Sequence, residues 1–141
     1  MFKKILVPTD GSESSRHALR KALELAQKFN SEVELFHVTQ SMEAYYGYEV
    51  GYSIVINPDQ IKRNGELALE YTLKGIDVGD VHLSKKHVPG NAVGSILEEI
   101  KGGFDLVIMG TRGHGAFAGA IVGSVTQRVL AHSHCPVLIV K

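Results

Sequence analysis

Five short runs of aliphatic residues, separated by stretches with helical spacing, constrain this chain more than any other feature. The runs are Ile5–Val7, Val33–Val38, Val81–Val88, Phe104–Met109 and Val137–Val140. The first, fourth and fifth are nearly unbroken in Val, Ile and Leu, as parallel strands buried on both faces tend to be. Between the first two, residues 14–29 place Ala18, Ala22 and Ala26 on one helical face beside Leu19 and Leu23. Asn57-Pro58 followed by Gln60 reads as a helix start, with Asn as cap, Pro in the first turn and Gln reaching back. That helix runs to about Leu73 and stops near Gly75. A third spans roughly 91–101, turns Ile96, Leu97 and Ile100 inward, and ends at Gly102-Gly103. The last begins at Ser124, which forms a capping box with Gln127, and ends before Pro136.

The order β-α-β-α-β-α-β-α-β predicts an α/β fold. It implies a single open, doubly wound, five-stranded parallel sheet with right-handed crossovers and helices on both faces. The 141 residues suit one domain, 1–141, and a composition 44% hydrophobic and 21% charged allows a real core. One segment, 40–56, breaks the alternation. It carries Tyr45, Tyr46, Tyr48 and Tyr52 between the second strand and the second helix, and reads as a surface loop, a lid or a subunit contact.

Fifteen basic residues balance fifteen acidic ones, so nothing in the bulk charge draws the chain to nucleic acid or to an anionic membrane. The single cysteine, Cys135, excludes an intramolecular disulfide. The opening MFKKILVPTDG turns polar too soon for a signal peptide, and no apolar stretch reaches the roughly 18 residues that span a bilayer. These features together predict a soluble, cytoplasmic protein.

In an open parallel sheet, ligands bind beyond the carboxyl ends of the strands where the strand order reverses. Two strand exits here carry unusual residues. After the first strand comes Pro8-Thr9-Asp10-Gly11-Ser12. Asp10 at the sheet's mouth is a carboxylate for ribose hydroxyls or for a magnesium ion; equally, it is a helix cap. After the fourth strand comes Met109-Gly110-Thr111-Arg112-Gly113-His114-Gly115, then an apolar stretch to Gly123-Ser124. Two glycine turns and a helix start make either a phosphate cradle of main-chain amides or a plain glycine loop before a capped helix. Neither a Walker A loop nor G-x-G-x-x-G is present. His37 and His87 fall at strand ends and read as hydrogen-bonded histidines near the cleft edge. His132, His134 and Cys135 lack a distant fourth ligand and read as a helix-to-strand turn.

On these residues the chain resembles the universal stress proteins of the ATP-binding type. The opening KKILVPTDGSESS, the strand DLVIMG and the tail GTRGHG…GSVTQRVLAHSHCPVLIVK carry the likeness. The family's signature G-x2-G-x9-G-[ST] is met by Gly110, Gly113, Gly123 and Ser124. The resemblance implies strand order 3-2-1-4-5, an adenine nucleotide alpha hydrolase-like sheet. It implies that Pro8, Thr9 and Asp10 touch adenine and ribose, that Val38 walls the base, and that Met109 and Gly110 lie near the ribose. Gly113, Gly123, Ser124 and Val125 would hold the phosphates through amides and one hydroxyl.

The sequence departs from the family in two places. Members often have Pro two residues after the glycine that follows the third strand, whereas here Gly90 is followed by Asn91-Ala92, at the start of the third helix. His114 and Gly119 stand where members often carry basic side chains, which leaves Arg112 as the loop's one fixed cation. ADP or AMP then competes with ATP. The implied function is a nucleotide-binding regulatory module, dimeric through antiparallel pairing of Val137–Val140 and answering to an unidentified protein partner. Hydrolysis would be slow at most. An enzyme cleaving ATP between its α- and β-phosphates is the alternative, but Asp10-Gly11-Ser12-Glu13-Ser14-Ser15 lacks the SGGxDS form that such enzymes use.

Overall fold

The computed structural model describes residues 1–40, 57–112 and 122–141. The tyrosine-rich stretch 41–56 and Gly113 lie outside the described residues. The elements alternate as the sequence predicts: β1 (Lys4–Pro8), α1 (Glu13–Phe29), β2 (Glu32–Gln40), α2 (Pro58–Leu73), β3 (Leu83–Gly90), α3 (Ala92–Ile100), β4 (Leu106–Gly110), α4 (Ser124–His132) and β5 (Val137–Val140). The five strands form one parallel sheet in the order β3-β2-β1-β4-β5.

Each face of the sheet has its own core. Ile5, Val7, Val33, Leu35, Leu106 and Ile108 turn to one side and meet Ala18, Leu19, Ala22 and Leu23 of α1 and Leu69 of α2. Leu6, Phe36, Val107 and Met109 turn to the other and meet Ile96 and Ile100 of α3 and Val129 of α4. The central strand β1 is therefore covered on both sides, and Ile5, Leu6 and Val7 are wholly buried. This explains why the first run is continuous rather than alternating.

Local signals place the helix ends. Ser12 caps α1, accepting from the Ser15 amide, and Asn91 caps α3 by accepting from the Gly94 amide at 3.0 Å. Asn57 caps α2, but Gln60 does not reach back; its amide bonds Asn64 instead. The capping box expected at Ser124 is also absent. Gly123 is the N-cap of α4, and Gln127 donates to the Val122 carbonyl at 2.7 Å. His87 differs from expectation too. Its ring packs against Gly65, and its buried Nδ1 finds no hydrogen-bond partner among the described residues. Among those residues, no helix is long and apolar enough to cross a membrane.

Candidate functional site

The strand order reverses between β1 and β4, and a cavity of about 560 Å³ opens there at the strands' carboxyl ends. Pro8, Thr9 and Asp10 form one wall; Met109, Gly110 and Arg112 form another. The end of β2, from Phe36 to Gln40, closes the side toward β3, with Ala92 and Ile96 of α3 over it. Gly123 to Thr126, the opening turn of α4, completes the rim.

The β1 exit is held by hydroxyls. Thr9 is buried, and its Oγ1 lies 2.8 Å from both Ser15 Oγ and Thr72 Oγ1 while accepting the Gly11 amide at 3.0 Å. Thr72 donates to the Ala68 carbonyl, so the proton in the Thr9–Thr72 bond comes from Thr9. The Thr9 side chain is thus fully committed inward, and Thr9 borders the cavity without offering its hydroxyl. The two readings of Asp10 separate here. The cap is Ser12; Asp10, exposed at the mouth, accepts the Ser12 amide at 2.9 Å in an Asx turn.

The β2 exit presents bare main chain. Phe36 directs its carbonyl to β1, where the Thr9 amide donates to it at 2.8 Å, whereas Val33 faces β3 and bonds the His82 carbonyl at 2.9 Å. By the two-residue period, Val38 also faces β1. In a parallel ladder the Val38 N–H would bond the Thr9 carbonyl, and its own C=O would take the Gly11 N–H. Neither bond forms. His37 Nδ1 lies 2.7 Å from the Thr9 carbonyl, and the Gly11 amide turns to Thr9 Oγ1. Gly11 makes that turn at φ 82°, a conformation suited to glycine. Val38 therefore points at the cavity an N–H and a C=O that have no partner among the described residues, beside the apolar surfaces of Met109, Ile96 and Val125.

At the β4 exit, Gly110 borders the cavity and also packs against α1. A Cβ on Gly110 would overlap the Ser14 hydroxyl and lie 2.6 Å from the Ser14 carbonyl carbon. Its bareness makes room for the start of α1. The Arg112 amide donates to Ser14 Oγ at 3.2 Å, and the Gly123 amide to the Thr111 carbonyl at 2.6 Å. Among the described residues, the open donors are instead the first amides inside α4, those of Ser124, Val125 and Thr126, because the first main-chain bond of that helix runs from the Gln127 amide to the Gly123 carbonyl. Ser124, freed from capping, is exposed at the rim. Thr126 donates its hydroxyl to the Gly110 carbonyl at 3.0 Å and ties this turn to the β4 exit.

The sequence profile of the universal stress protein family matches residues 1–141. The chain belongs to the universal stress protein family. Its curated relatives include universal stress protein MJ0531 of Methanocaldococcus jannaschii, 33% identical over 100% of this chain and 83% of that one. Another is YxiE of Bacillus subtilis, 31% identical over the whole of both. Among solved structures, hypothetical protein MJ0577 superposes with a TM-score of 0.80 at 31% identity, over 100% of this chain and 96% of that one. A universal stress protein solved in complex with cAMP (TM-score 0.67, 24% identity, 99% and 96% covered) and Arabidopsis thaliana At3g01520 solved with AMP bound (0.64, 22%, 99% and 91%) share the fold.

Within this universal stress protein domain, one cavity gathers Pro8, Thr9, Asp10, Val38, Met109, Gly110, Arg112, Gly123, Ser124 and Val125. Sequence reasoning missed Ser15, Phe36, Thr39, Gln40, Ala92, Ile96 and Thr126 at the cavity. The sequence turns Ile96 inward on its helix, but the spacing that marks an inward face does not say which end of the sheet the face covers.

Proposed function

We propose that the cleft binds an adenine nucleotide, ATP with ADP and AMP as competitors, and that the protein is a homodimeric regulatory module whose nucleotide occupancy is sensed by a protein partner. The open Val38 edge carries this reading. A main-chain N–H and C=O side by side match the N1 acceptor and N6 amine of adenine, and are mismatched to the N1–H donor and O6 acceptor of guanine. The apolar surfaces around it suit a flat base. Asp10, across the mouth, suits the ribose hydroxyls. The Ser124 and Val125 amides sit at the positive end of α4, where anionic phosphates are favoured. The relatives solved with cAMP and with AMP add that this fold accommodates adenine nucleotides.

The lining offers one carboxylate, Asp10, and one fixed cation, Arg112, among the described residues. A magnesium ion would therefore be held chiefly by the phosphates, with Asp10 as its one protein carboxylate. No described side chain stands as a general base over a terminal phosphate, so hydrolysis is slow or needs a partner. Mass spectrometry of nucleotide released from protein purified without added ligand, followed by calorimetric titration with ATP, ADP and GTP, tests the assignment. Adenine nucleotides are expected in the first measurement and preference over GTP in the second. Absence of binding, or equal affinity for GTP, overturns it.

A further inference from the structure

We propose that His37 is a positioning residue that keeps the base-recognition edge of β2 open, by occupying the Thr9 carbonyl that the Val38 N–H would otherwise bond. This rests on the reading of the cleft as an adenine nucleotide site, and it adds a device that creates the site's specificity.

The β1–β2 ladder runs in register from Lys4↔Glu32 to Pro8↔Phe36, and one further bond, Thr9 N–H to the Phe36 carbonyl, continues it. The next rung is the one that fails. The Thr9 carbonyl is well placed for it, since Thr9 is pinned through its amide to Phe36 and through its hydroxyl to Thr72. The carbonyl is instead occupied by His37 Nδ1 at 2.7 Å. A carbonyl only accepts, so Nδ1 carries the proton in this bond. The imidazole thereby satisfies β1's last half-buried acceptor from the side. Without it, that acceptor lacks a donor, an unfavourable state that the neighbouring Val38 N–H is positioned to relieve. Closing the rung would take away the donor meant for adenine N1. The Val38 carbonyl is kept open separately, because Thr9 Oγ1 holds the Gly11 amide.

The test uses the whole protein and three chains: wild type, His37→Phe and His37→Asn. The asparagine amide can place an N–H where the imidazole Nδ1–H lies; the phenyl ring cannot. If the phenylalanine variant does not fold, His37→Ala replaces it. In the ligand-free state, the Val38 amide should exchange quickly in wild type and His37→Asn, and at least about tenfold more slowly in His37→Phe, where the rung has closed. Affinity for ATP should fall about tenfold in His37→Phe, the effect of one lost hydrogen bond, and return in His37→Asn. Affinity for 1-deaza-ATP, which lacks the N1 acceptor, should be the same in all three. A Val38 amide that exchanges equally fast in wild type and His37→Phe, or ATP affinity unchanged by His37→Phe, overturns the proposal. Failure of wild type to bind ATP overturns the adenine reading instead, while the exchange comparison still decides whether His37 holds the edge open.

Discussion

At the scale of single residues, the cleft is shaped by atoms that sequence reading assigns to the ligand but that the fold uses for itself. Gly110 is the sharpest case. A methyl group there meets the main chain of Ser14 as well as its hydroxyl, so turning that side chain away does not relieve the overlap. Gly110→Ala is therefore expected to destabilise the fold by about 2–3 kcal/mol, in the range of overpacked sites, and to weaken nucleotide binding by displacing the start of α1. Urea unfolding and calorimetry on the same samples check both effects; full stability in the variant would contradict the contact. Thr9 is the second case. Its position after β1 is legible in the sequence, but its hydroxyl's partner, Thr72, stands 63 residues away. No local pattern announces a bond across that separation. Thr72→Val keeps the shape and removes the hydroxyl, so the buried Thr9 hydroxyl loses this acceptor. A loss of about 1–2 kcal/mol in denaturant unfolding is expected.

At the scale of elements, the helix starts decide which amides face the cleft. Serine with glutamine three residues on is a fair capping signal, and at α4 it misleads because the main chain gets there first. The Gly123 amide is drawn to the Thr111 carbonyl, which sets the helix entry one residue earlier. Ser124 then falls at the first helical position, where proline is tolerated because its missing N–H would have had no partner in the helix. Ser124→Pro should leave the melting temperature nearly unchanged yet reduce ATP affinity by about 10- to 100-fold, since a donor to a charged phosphate is worth roughly 1.5–3 kcal/mol. Ser124→Ala, which keeps the amide, should lose much less. Equal losses in the two variants, measured by calorimetry, would assign the effect to the hydroxyl.

The packing of α3 onto β2 carries a different signature. Glu34, on the sheet face covered by α3, has one buried carboxylate oxygen with no hydrogen-bond partner among the described residues. Burial pushes its carboxyl above the ordinary value of 4.5, and the nearby Glu99 carboxylate adds to this, while Lys86 and Lys4 oppose it. The folded state thus holds this proton more tightly than the unfolded chain. The associated stability is fully present below 4.5 and is lost as pH climbs through the raised value. Glu34→Gln should remove that loss, so its melting temperature should exceed that of wild type by more at pH 7.5 than at pH 4.5. A constant difference across that range would show that Glu34 titrates normally.

At the scale of the whole molecule, the topology was the most legible part, because five apolar runs at helix-length spacing leave few alternatives. What the runs could not tell was how the two sheet edges differ. One edge, β3, carries the exposed Lys85 and Lys86, the kind of charge that discourages strand addition. The other, β5, is Val137-Leu138-Ile139-Val140 with no charge, and Leu138 is 38% exposed. The bonds to β4 come from the Pro136 and Val140 carbonyls, so by the strand's two-residue period Val137 and Ile139 turn their N–H and C=O groups outward. If dimers form by antiparallel pairing of this edge, Ile139 donates across the interface without serving the monomer's own sheet. Proline is tolerated on an edge strand where the lost N–H faces outward. Ile139→Pro should therefore remove two interface hydrogen bonds per dimer and leave the β4–β5 ladder intact. At about 1 kcal/mol each, the dimer should weaken roughly 30-fold, visible as monomer at micromolar concentration in sedimentation equilibrium. A variant that stays dimeric with wild-type affinity would mean that the copies meet elsewhere, and one that unfolds would mean that β5 depends on the partner for its place in the sheet.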